Sequence, residues 1–350
     1  MITKEQIKKY DRSHMINSLR LFPEQIREIK ELSGKVHIPA NYRKAKNIVV
    51  AGMGGSGLPA RIVMALYRDK LPLPMVVSED YSLPGFVNRD TLVILSSYSG
   101  NTEEVLSASL VAKKKGAKVL VIAAGGDLKK MHDHGTPGFI FTTKSNPCNS
   151  PRMGLGYSLF ALLVVLSKLN VITLTEREWK GAVSAAEKYT TLFSPESPDN
   201  PAMALAEKLA GRAVLVISAE HLAGNGRVAA NQINENNKRF AMPFVLPEMD
   251  HHLLEGLKLP ATNTKNLLVL LFNSSQYAKR IMKRVQITRS VMLSQHLPVV
   301  EYKGGEKELL AEVVEVLVLS SWLAYYGAII SKLDPTPIPF VDYLKTELAK

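Results

Sequence analysis

The sequence of 350 residues is poor in side chains that form disulfides or bind metals. Its one cysteine, Cys148, excludes an internal disulfide bond and a cysteine-based metal cluster within one chain. The eight histidines show no spacing typical of metal ligands, and the adjacent His251 and His252 would point apart in regular structure. We therefore expect the protein to contain no structural metal.

Long apolar runs are also missing. No run approaches the length that a membrane-spanning helix needs, and residues 1–7 do not form the apolar core of a signal peptide. Together with the scarcity of cysteine, these absences predict a cytoplasmic protein with no membrane partner. A hydrophobic content of 46% with 22% charged residues is typical of a globular protein long enough for two domains.

Acidic residues are fewer than basic ones, 32 against 44, which gives a net charge of +12. The excess is not gathered in a dense tract, and no zinc module, RNA-recognition pattern or basic amphipathic helix is present. A mildly positive field also suits the capture of small anionic metabolites. We therefore predict a small anionic ligand and no nucleic-acid partner.

Apolar runs alternate with helical segments in the first half of the chain. The runs cover residues 47–51, 73–77, 91–95 and 118–123. This alternation predicts a parallel sheet covered by helices on both faces, which is the α/β class. In such sheets ligands bind beyond the carboxyl ends of the strands.

Two loops at that edge are candidates for binding a phosphate. One is the glycine-rich stretch 52–57, which includes Gly55 and Ser56, and the other carries the hydroxyls of Ser97, Ser99 and Thr102. Hydroxyls and the free N–H groups of a helix N-terminus are suited to phosphate oxygens. The second loop is also consistent with plain helix capping by Asn101 and Glu104.

The glycine spacing also matches the fingerprint of dinucleotide-binding proteins. Gly52, Gly54 and Gly57 have the required spacing, and Glu79 or Asp80 lies where a ribose-binding acid is expected. A dinucleotide site does not explain the second, hydroxyl-rich loop, whereas one phosphate held by both loops explains both. We therefore favour a sugar phosphate, and a nicotinamide-dependent dehydrogenase stays as an alternative.

The second half repeats the plan. Apolar runs at 212–217, 243–247, 266–272 and 299–302 predict strands, and a long apolar helix is expected over about 306–333. No phosphate loop rich in Ser and Thr recurs there. The proline-rich stretch 194–201 predicts the domain boundary. We predict a helical arm (1–39), a phosphate-binding domain (40–195), a second domain (196–333) and a C-terminal segment (334–350).

Five short motifs, taken in order, resemble the sugar isomerase (SIS) domain proteins. More closely, the chain is similar to the bifunctional phosphoglucose/phosphomannose isomerases of archaea and some bacteria. The resemblance runs from about residue 40 to the C-terminus and implies two SIS-type αβα sandwich domains and a C-terminal helix (334–350) that packs back at the active site. The motifs are residues 54–57, 97–102, 151–152, 234–236 and 334–337.

This resemblance implies a cofactor-independent homodimer. It would interconvert hexose 6-phosphates, glucose 6-phosphate and fructose 6-phosphate together with mannose 6-phosphate, through a cis-enediol. Because SIS domains also serve as regulatory sensors, a non-catalytic sugar-phosphate sensor is a further alternative. The implied phosphate-binding residues are Gly55, Ser56, Ser97, Ser99 and Thr102.

The resemblance also implies a role for each of four catalytic candidates. Glu235 would be the base that takes the C2 proton, and Arg152 would stabilise the enediolate. His251 would open the sugar ring from across the dimer interface, and Lys345 would reach the sugar near that place. The family reads Asn-His-Asn-Glu where this chain has Asp250 to Leu253, and we assign the role to His251 rather than His252.

Overall fold

The computed structural model describes residues 2–348 and 350. Met1, at the start of the predicted arm, and Ala349, in the predicted C-terminal segment, lie outside the described residues. All strands pair in parallel and form two sheets. In chain order the strands are β1 (Asn47–Ala51), β2 (Met75–Ser78), β3 (Thr91–Ser97), β4 (Lys118–Ala123), β5 (Gly138–Ile140), β6 (Ala213–Ala219), β7 (Ala241–Leu246), β8 (Leu267–Asn273) and β9 (Val299–Lys303).

Helices connect and cover these strands. Short 3-10 helices also occur, at Ala40–Lys44, Gly54–Ser56, Pro151–Met153, Glu220–Leu222 and Glu248–His251. The α-helices are α1 (Lys4–Tyr10), α2 (Met15–Arg20), α3 (Phe22–Ser33), α4 (Leu58–Leu66), α5 (Glu103–Lys114), α6 (Gly126–Asp133), α7 (Leu155–Lys168), α8 (Glu176–Leu192), α9 (Pro201–Leu209), α10 (Ala223–Asn237), α11 (Leu253–Gly256), α12 (Asn263–Asn266), α13 (Lys279–Ser294), α14 (Leu309–Ile330) and α15 (Pro339–Leu348).

The first sheet has the strand order β2-β1-β3-β4-β5 and is covered on both faces. Alternate residues of β1 belong to two different hydrophobic clusters. Ile48 and Val50 pack with α4 and α7, whereas Val49 and Ala51 pack with α5 and α6. This burial on both faces explains why the strand reads as one continuous apolar run rather than as alternating apolar and polar residues.

The second sheet has the order β7-β6-β8-β9. Helix α10 packs on β6 and β7, and α13 contacts β7 and β9. The edge strand β7 is covered incompletely, because Met242 and Val245 stay exposed, as does Phe240 just before it. The corresponding orders of the two sheets, with the first strand of each inside the sheet, indicate two copies of one plan.

Helix α14 runs through the middle of the protein and contacts α4, α8, α9 and α10. By length and composition it is the one helix in the described part of the chain that could cross a membrane, so the expectation that no segment reaches that length is wrong. However, 94% of its most apolar stretch is buried inside the protein. Its all-round apolar surface is that of a core helix with neighbours on every side.

The predicted α/β class with two parallel-sheet αβα layers is confirmed. The N-terminal segment contains three helices, of which α3 packs on α7 and α8. The predicted strands lie close to the observed ones, although β3 extends two residues further, to Ser97. The residue ranges given for the domains stay a prediction.

Candidate active site

The two loops predicted to hold a phosphate lie against each other at the carboxyl edge of the first sheet. The Ser96 hydroxyl donates to the Ser56 carbonyl at 2.9 Å, and the Tyr98 N–H donates to the Ser56 hydroxyl at 2.9 Å. A Cβ added at Gly52 would lie 2.9 Å from the Ser56 carbonyl oxygen and 3.1 Å from that of Ser96. Glycine at this position therefore allows the two turns to approach.

Three hydroxyls form a cluster on the second loop. Ser97 Oγ lies 2.7 Å from Thr102 Oγ1 and 3.5 Å from Ser99 Oγ, and it accepts the Gly100 N–H at 3.1 Å. Ser97 is buried, Thr102 is half-buried and Ser99 is exposed, so the cluster reaches from the interior to the surface. We refer to Ser97, Ser99 and Thr102 as the hydroxyl cluster.

The capping interpretation of this loop is wrong. The N-cap of α5 is Thr102, and its side chain makes no capping hydrogen bond within the described residues. The Asn101 side chain instead accepts the Asp127 N–H at 2.9 Å. The first N–H groups of α5 therefore remain available beside the hydroxyl cluster, at the positive end of the helix dipole.

Arg152 lies next to the glycine loop and reaches toward the second half of the chain. A Cβ added at Gly55 would lie 3.4 Å from the Arg152 backbone nitrogen. The guanidinium group is 4% exposed and donates to the carbonyls of Pro335 at 3.0 Å and Thr336 at 2.7 Å. It also donates to the Asn236 side chain. These bonds hold one positive charge in a fixed orientation.

Glu235 lies in the last turn of α10, with its Oε2 atom 3.6 Å from Arg152 Nη1. Its side chain is 31% exposed. Desolvation raises the pKa of Glu235, and the positive charges of Arg152, Lys238 and Lys345 act in the opposite direction. Its neighbour Asn236 is buried and accepts from Arg152, so the asparagine-rich sequence serves to fix the guanidinium beside the carboxylate.

Lys238 is a third charged group beside Arg152 and Glu235, and the sequence motifs do not predict it. Its ammonium group donates to the carbonyls of Glu235 at 2.7 Å and Pro335 at 2.9 Å. Desolvation, followed by the charge of Arg152, lowers the pKa of Lys238 to about 8. The signal in the sequence is weak, because a lysine just after a helix is common without any special role.

Helix α15 brings Lys345 near the same place. The charge of Lys345 acts on Glu235, and that of Asp342 acts on Arg152. Val341, Leu344 and Leu348 have the helical spacing of a buried apolar stripe, which predicts that this face is covered, but all three are exposed in the single chain.

His251 is the predicted catalytic residue that the single chain does not bring to the others. It is exposed, and within the described residues its ring has no hydrogen-bond or ion-pair partner. Its neighbours are engaged: His252 lies 3.2 Å from Glu248, and Asp250 accepts from Arg284 at 2.9 Å. The uncommitted ring favours His251 over His252 as the one available to a ligand.

Glu79, one of the two acids that fit the dinucleotide alternative, is also engaged. Glu79 is ion-paired with Arg61 and lies 3.6 Å from Arg227 on α10. Its side chain thus joins the two halves of the chain. Within residues 2–348 and 350, no three His, Cys, Asp or Glu side chains are arranged to hold a metal ion.

Comparison with known families defines the class of protein. The SIS domain model matches residues 41–136, and the model of the bacterial phospho-glucose isomerase C-terminal SIS domain matches residues 198–348. A hypothetical protein from Thermus thermophilus has the same fold in its crystal structure, with a TM-score of 0.75 at 14% identity over 99% of this chain and 92% of that one. The chain is therefore a double-SIS-domain protein.

Full-length relatives define the family more closely. The bifunctional phosphoglucose/phosphomannose isomerase of Caldicellulosiruptor bescii is 31% identical over 342 residues, covering 96% of this chain and 99% of the relative. The protein of the same name from Thermoplasma acidophilum is 31% identical over 327 residues, covering 92% and 96%. This chain belongs to the bifunctional phosphoglucose/phosphomannose isomerase family, as its motifs predict.

Proposed function

We propose that the protein interconverts hexose 6-phosphates between their aldose and ketose forms. The substrates are glucose 6-phosphate and mannose 6-phosphate on the aldose side and fructose 6-phosphate on the ketose side, in keeping with the names of its relatives. The observation that carries the proposal is the placement of a carboxylate, Glu235, beside a buried guanidinium, Arg152, whose backbone adjoins the glycine loop.

The phosphoryl group binds at the carboxyl edge of the first sheet. The hydroxyl cluster and the first N–H groups of α5 donate to its oxygens, and the backbone at Gly55 and Ser56 forms the adjoining wall. This position directs the sugar carbons toward Arg152 and Glu235. The support for this assignment is the absence of a capping bond at Thr102 and the contact between the two loops.

Glu235 moves the proton between the two carbons. It removes the proton from C2 of the open-chain aldose, and the C–H electron pair forms the C1=C2 bond of a cis-enediolate. The negative charge at O1 is stabilised by Arg152. After a proton moves from O2 to O1, the proton held by Glu235 passes to C1 and a carbonyl remains at C2. A raised pKa strengthens the carboxylate as a base at neutral pH.

His251 opens the sugar ring from the partner subunit of a homodimer, assisted by Lys345. Two features support this assignment: the His251 ring is exposed and uncommitted, and it follows the incompletely covered edge strand β7. A second copy covering Phe240, Met242 and Val245 would remove exposed apolar surface from water.

The role of Glu235 is tested by the turnover of glucose 6-phosphate to fructose 6-phosphate. We expect Glu235→Gln to lower kcat by about 10²- to 10⁴-fold with little change in KM, because the amide cannot accept the proton. The exposed Glu255→Gln is the matched control and should keep full activity. Undiminished kcat in Glu235→Gln would remove the residue from this role, and binding without turnover in the wild type would favour a sensor.

The position of His251 is tested by mixing two inactive variants. If His251 acts on the partner's site, subunits carrying His251→Ala and Glu235→Gln should together form heterodimers with one intact site. Random exchange then restores about a quarter of the wild-type activity. Recovery should not occur if His251 serves its own chain. His252→Ala is the control and should stay active alone.

A further inference from the structure

The carboxyl edge of the second sheet repeats the arrangement that surrounds the hydroxyl cluster. In the first sheet, β1 leads through a 3-10 helix into α4, and β3 leads through a loop into α5. In the second, β6 leads through the 3-10 helix Glu220–Leu222 into α10, and β8 leads through a loop into α13. Both pairs of strands are hydrogen-bonded neighbours, so the two loops of each pair meet at one place.

At that place in the second half lies the side chain of Glu312, from the first turn of α14. Its Oε2 atom accepts hydrogen bonds from Ser274 Oγ at 2.8 Å and Gln276 Nε2 at 2.6 Å, both on the loop after β8. His221 Nε2, on the loop after β6, lies 2.8 Å from the same oxygen. Donors from both loops thus converge on one negatively charged oxygen.

The resemblance extends to the turn itself. Ser274 Oγ accepts the N–H of Gln276, two residues further on, at 2.9 Å, and on the loop after β3 Ser99 Oγ accepts the Asn101 N–H with the same spacing at 3.3 Å. The hydroxyl cluster and the position of Glu312 differ in their exposure to solvent. Ser99 is exposed and Thr102 is half-buried, whereas Glu312 is 0% exposed.

The Glu312 carboxylate is tightly packed, although only one of its two oxygens has hydrogen-bond partners among the described residues. Its Oε1 atom is buried and has no hydrogen-bond partner among the described residues. A Cβ added at Gly304 would lie 2.0 Å from that atom, so only glycine leaves room for it. Donors from two loops thus converge on one oxygen of a buried carboxylate, which is an arrangement suited to an anion, while no described residue donates to the other oxygen.

We propose that Glu312 occupies an anion-binding position in the second SIS domain and thereby excludes phosphate from it. The chain then holds one phosphoryl group, at the hydroxyl cluster, although its fold provides two equivalent positions. The inference rests on the proposed function only through the comparison with the first sheet.

A phosphate ion could approach this position from solvent. Gln276 lines a groove of about 830 Å³ between the two halves of the chain, together with the start of α14. The groove is lined by the basic side chains of Lys70, Arg177 and Lys307 and by the acidic side chains of Glu178 and Glu308. Removal of the Glu312 carboxylate would therefore open a path to the same donors.

The first experiment counts inorganic phosphate ions bound per full-length chain by calorimetric titration. We expect one in the wild type and two in Glu312→Ala, and one again when Ser274→Ala is added to Glu312→Ala. Glu312→Gln, which fills the space, should bind one. A Glu312→Ala protein that binds one phosphate would overturn the proposal.

The variant Thr102→Val, at the hydroxyl cluster, distinguishes a failure of this inference from a failure of the proposed function. In Thr102→Val the first phosphate should be weakened, and adding Glu312→Ala to Thr102→Val should still restore a bound phosphate that depends on Ser274. If the proposed first site were wrong, Thr102→Val would leave binding unchanged while the effect of Glu312→Ala would persist.

A second experiment does not require the alanine variant to fold. Ser274→Ala and Glu312→Gln are combined in a double-mutant cycle, and thermal unfolding midpoints are measured. Since a hydrogen bond to a charged group is about twice as strong as a neutral one, Ser274→Ala should lower the midpoint about twice as much with Glu312 as with glutamine. Equal shifts in the two backgrounds would overturn the proposal.

Discussion

The carboxyl edges of the two sheets share the same connections between strands and helices, but they differ in the groups that their loops contact. At the first edge three hydroxyls, graded from buried to exposed, leave a place for an external ligand. At the second edge the donors His221, Ser274 and Gln276 converge on a carboxylate from the same chain. The same backbone plan therefore supports the proposed binding site in one half and an internal polar contact in the other.

The two halves of this duplicated fold contribute different groups to the proposed site. The first half provides the proposed phosphate position, and the second half supplies the charged groups Glu235, Lys238 and Lys345. Arg152 belongs to the first half but is oriented by Asn236 and by the carbonyls of Pro335 and Thr336 from the second. The proposed catalytic groups thus come from both halves of the chain, and their arrangement depends on the contacts between the halves.

The largest expected effect comes from breaking that connection. In Arg152→Gln, the negative charge that develops on the sugar loses its cation, and we expect kcat to fall by about 10²- to 10³-fold. The free energy of unfolding should also fall, because buried acceptors of Pro335 and Asn236 lose their donor. Steady-state kinetics and chemical denaturation measure the two effects.

Arg239→Gln is the matched control for this change. Arg239 lies just after α10, donates to the Arg212 carbonyl at 3.1 Å and to Ser331 Oγ at 3.3 Å, and is not in the proposed site. It should lose stability and keep kcat. An equal loss of kcat in both variants would show that Arg152 acts only through the fold.

Much of the fold follows from the sequence, because continuous apolar runs alternate with helical segments. The two parallel sheets and the core helix α14 were all predictable on this basis. The exposed face of α15 was not, since Val341, Leu344 and Leu348 have the spacing of a buried stripe whether or not the same chain covers them. Amphipathicity indicates that a surface needs a partner but does not say which chain provides it.

The motifs predict candidate residues for the site, but they do not predict how those residues interact. The proximity of Arg152 and Glu235 followed from the family pattern, whereas Lys238 and Glu312 have no local signal. Lys238 matters because of two carbonyls, one of them on Pro335, 97 residues away. Glu312 reads as an ordinary polar residue near the start of a helix, and only the tertiary structure shows that it is fully buried.

A second prediction compares one substitution at the carboxyl edge of the first sheet with one at the carboxyl edge of the second. Thr102→Val, which removes a hydroxyl donor but keeps the shape, should raise KM for glucose 6-phosphate by about ten- to a hundredfold, the cost of a hydrogen bond to a charged group. Ser274→Ala should lower the unfolding midpoint and leave KM unchanged. Comparable KM increases in both variants would contradict the division of tasks between the edges.

The smallest effect concerns pH. Lys238 has a pKa of about 8 in the folded chain, against an ordinary value of 10.5, while Arg152, Glu235 and Asp334 are the charged groups that act on it. Between these values the unfolded chain binds more protons, so the lysine's contribution to the free energy of unfolding rises with pH over that window. Relative to Lys238→Met, the wild type should therefore gain stability from pH 8 to 10.

Deprotonation of Lys238 should lower activity over the pH range in which it raises the free energy of unfolding. Above pH 8 the ammonium loses its charge beside Glu235 and Arg152, and kcat/KM should decline a few-fold because one cation no longer favours the anionic substrate. Lys238→Arg keeps its charge and should move this decline to higher pH, whereas Lys238→Met should lack it. Glu312→Gln, a change at the other edge, should leave the profile as it is. A profile that is the same in the arginine variant and the wild type would show that another group controls it.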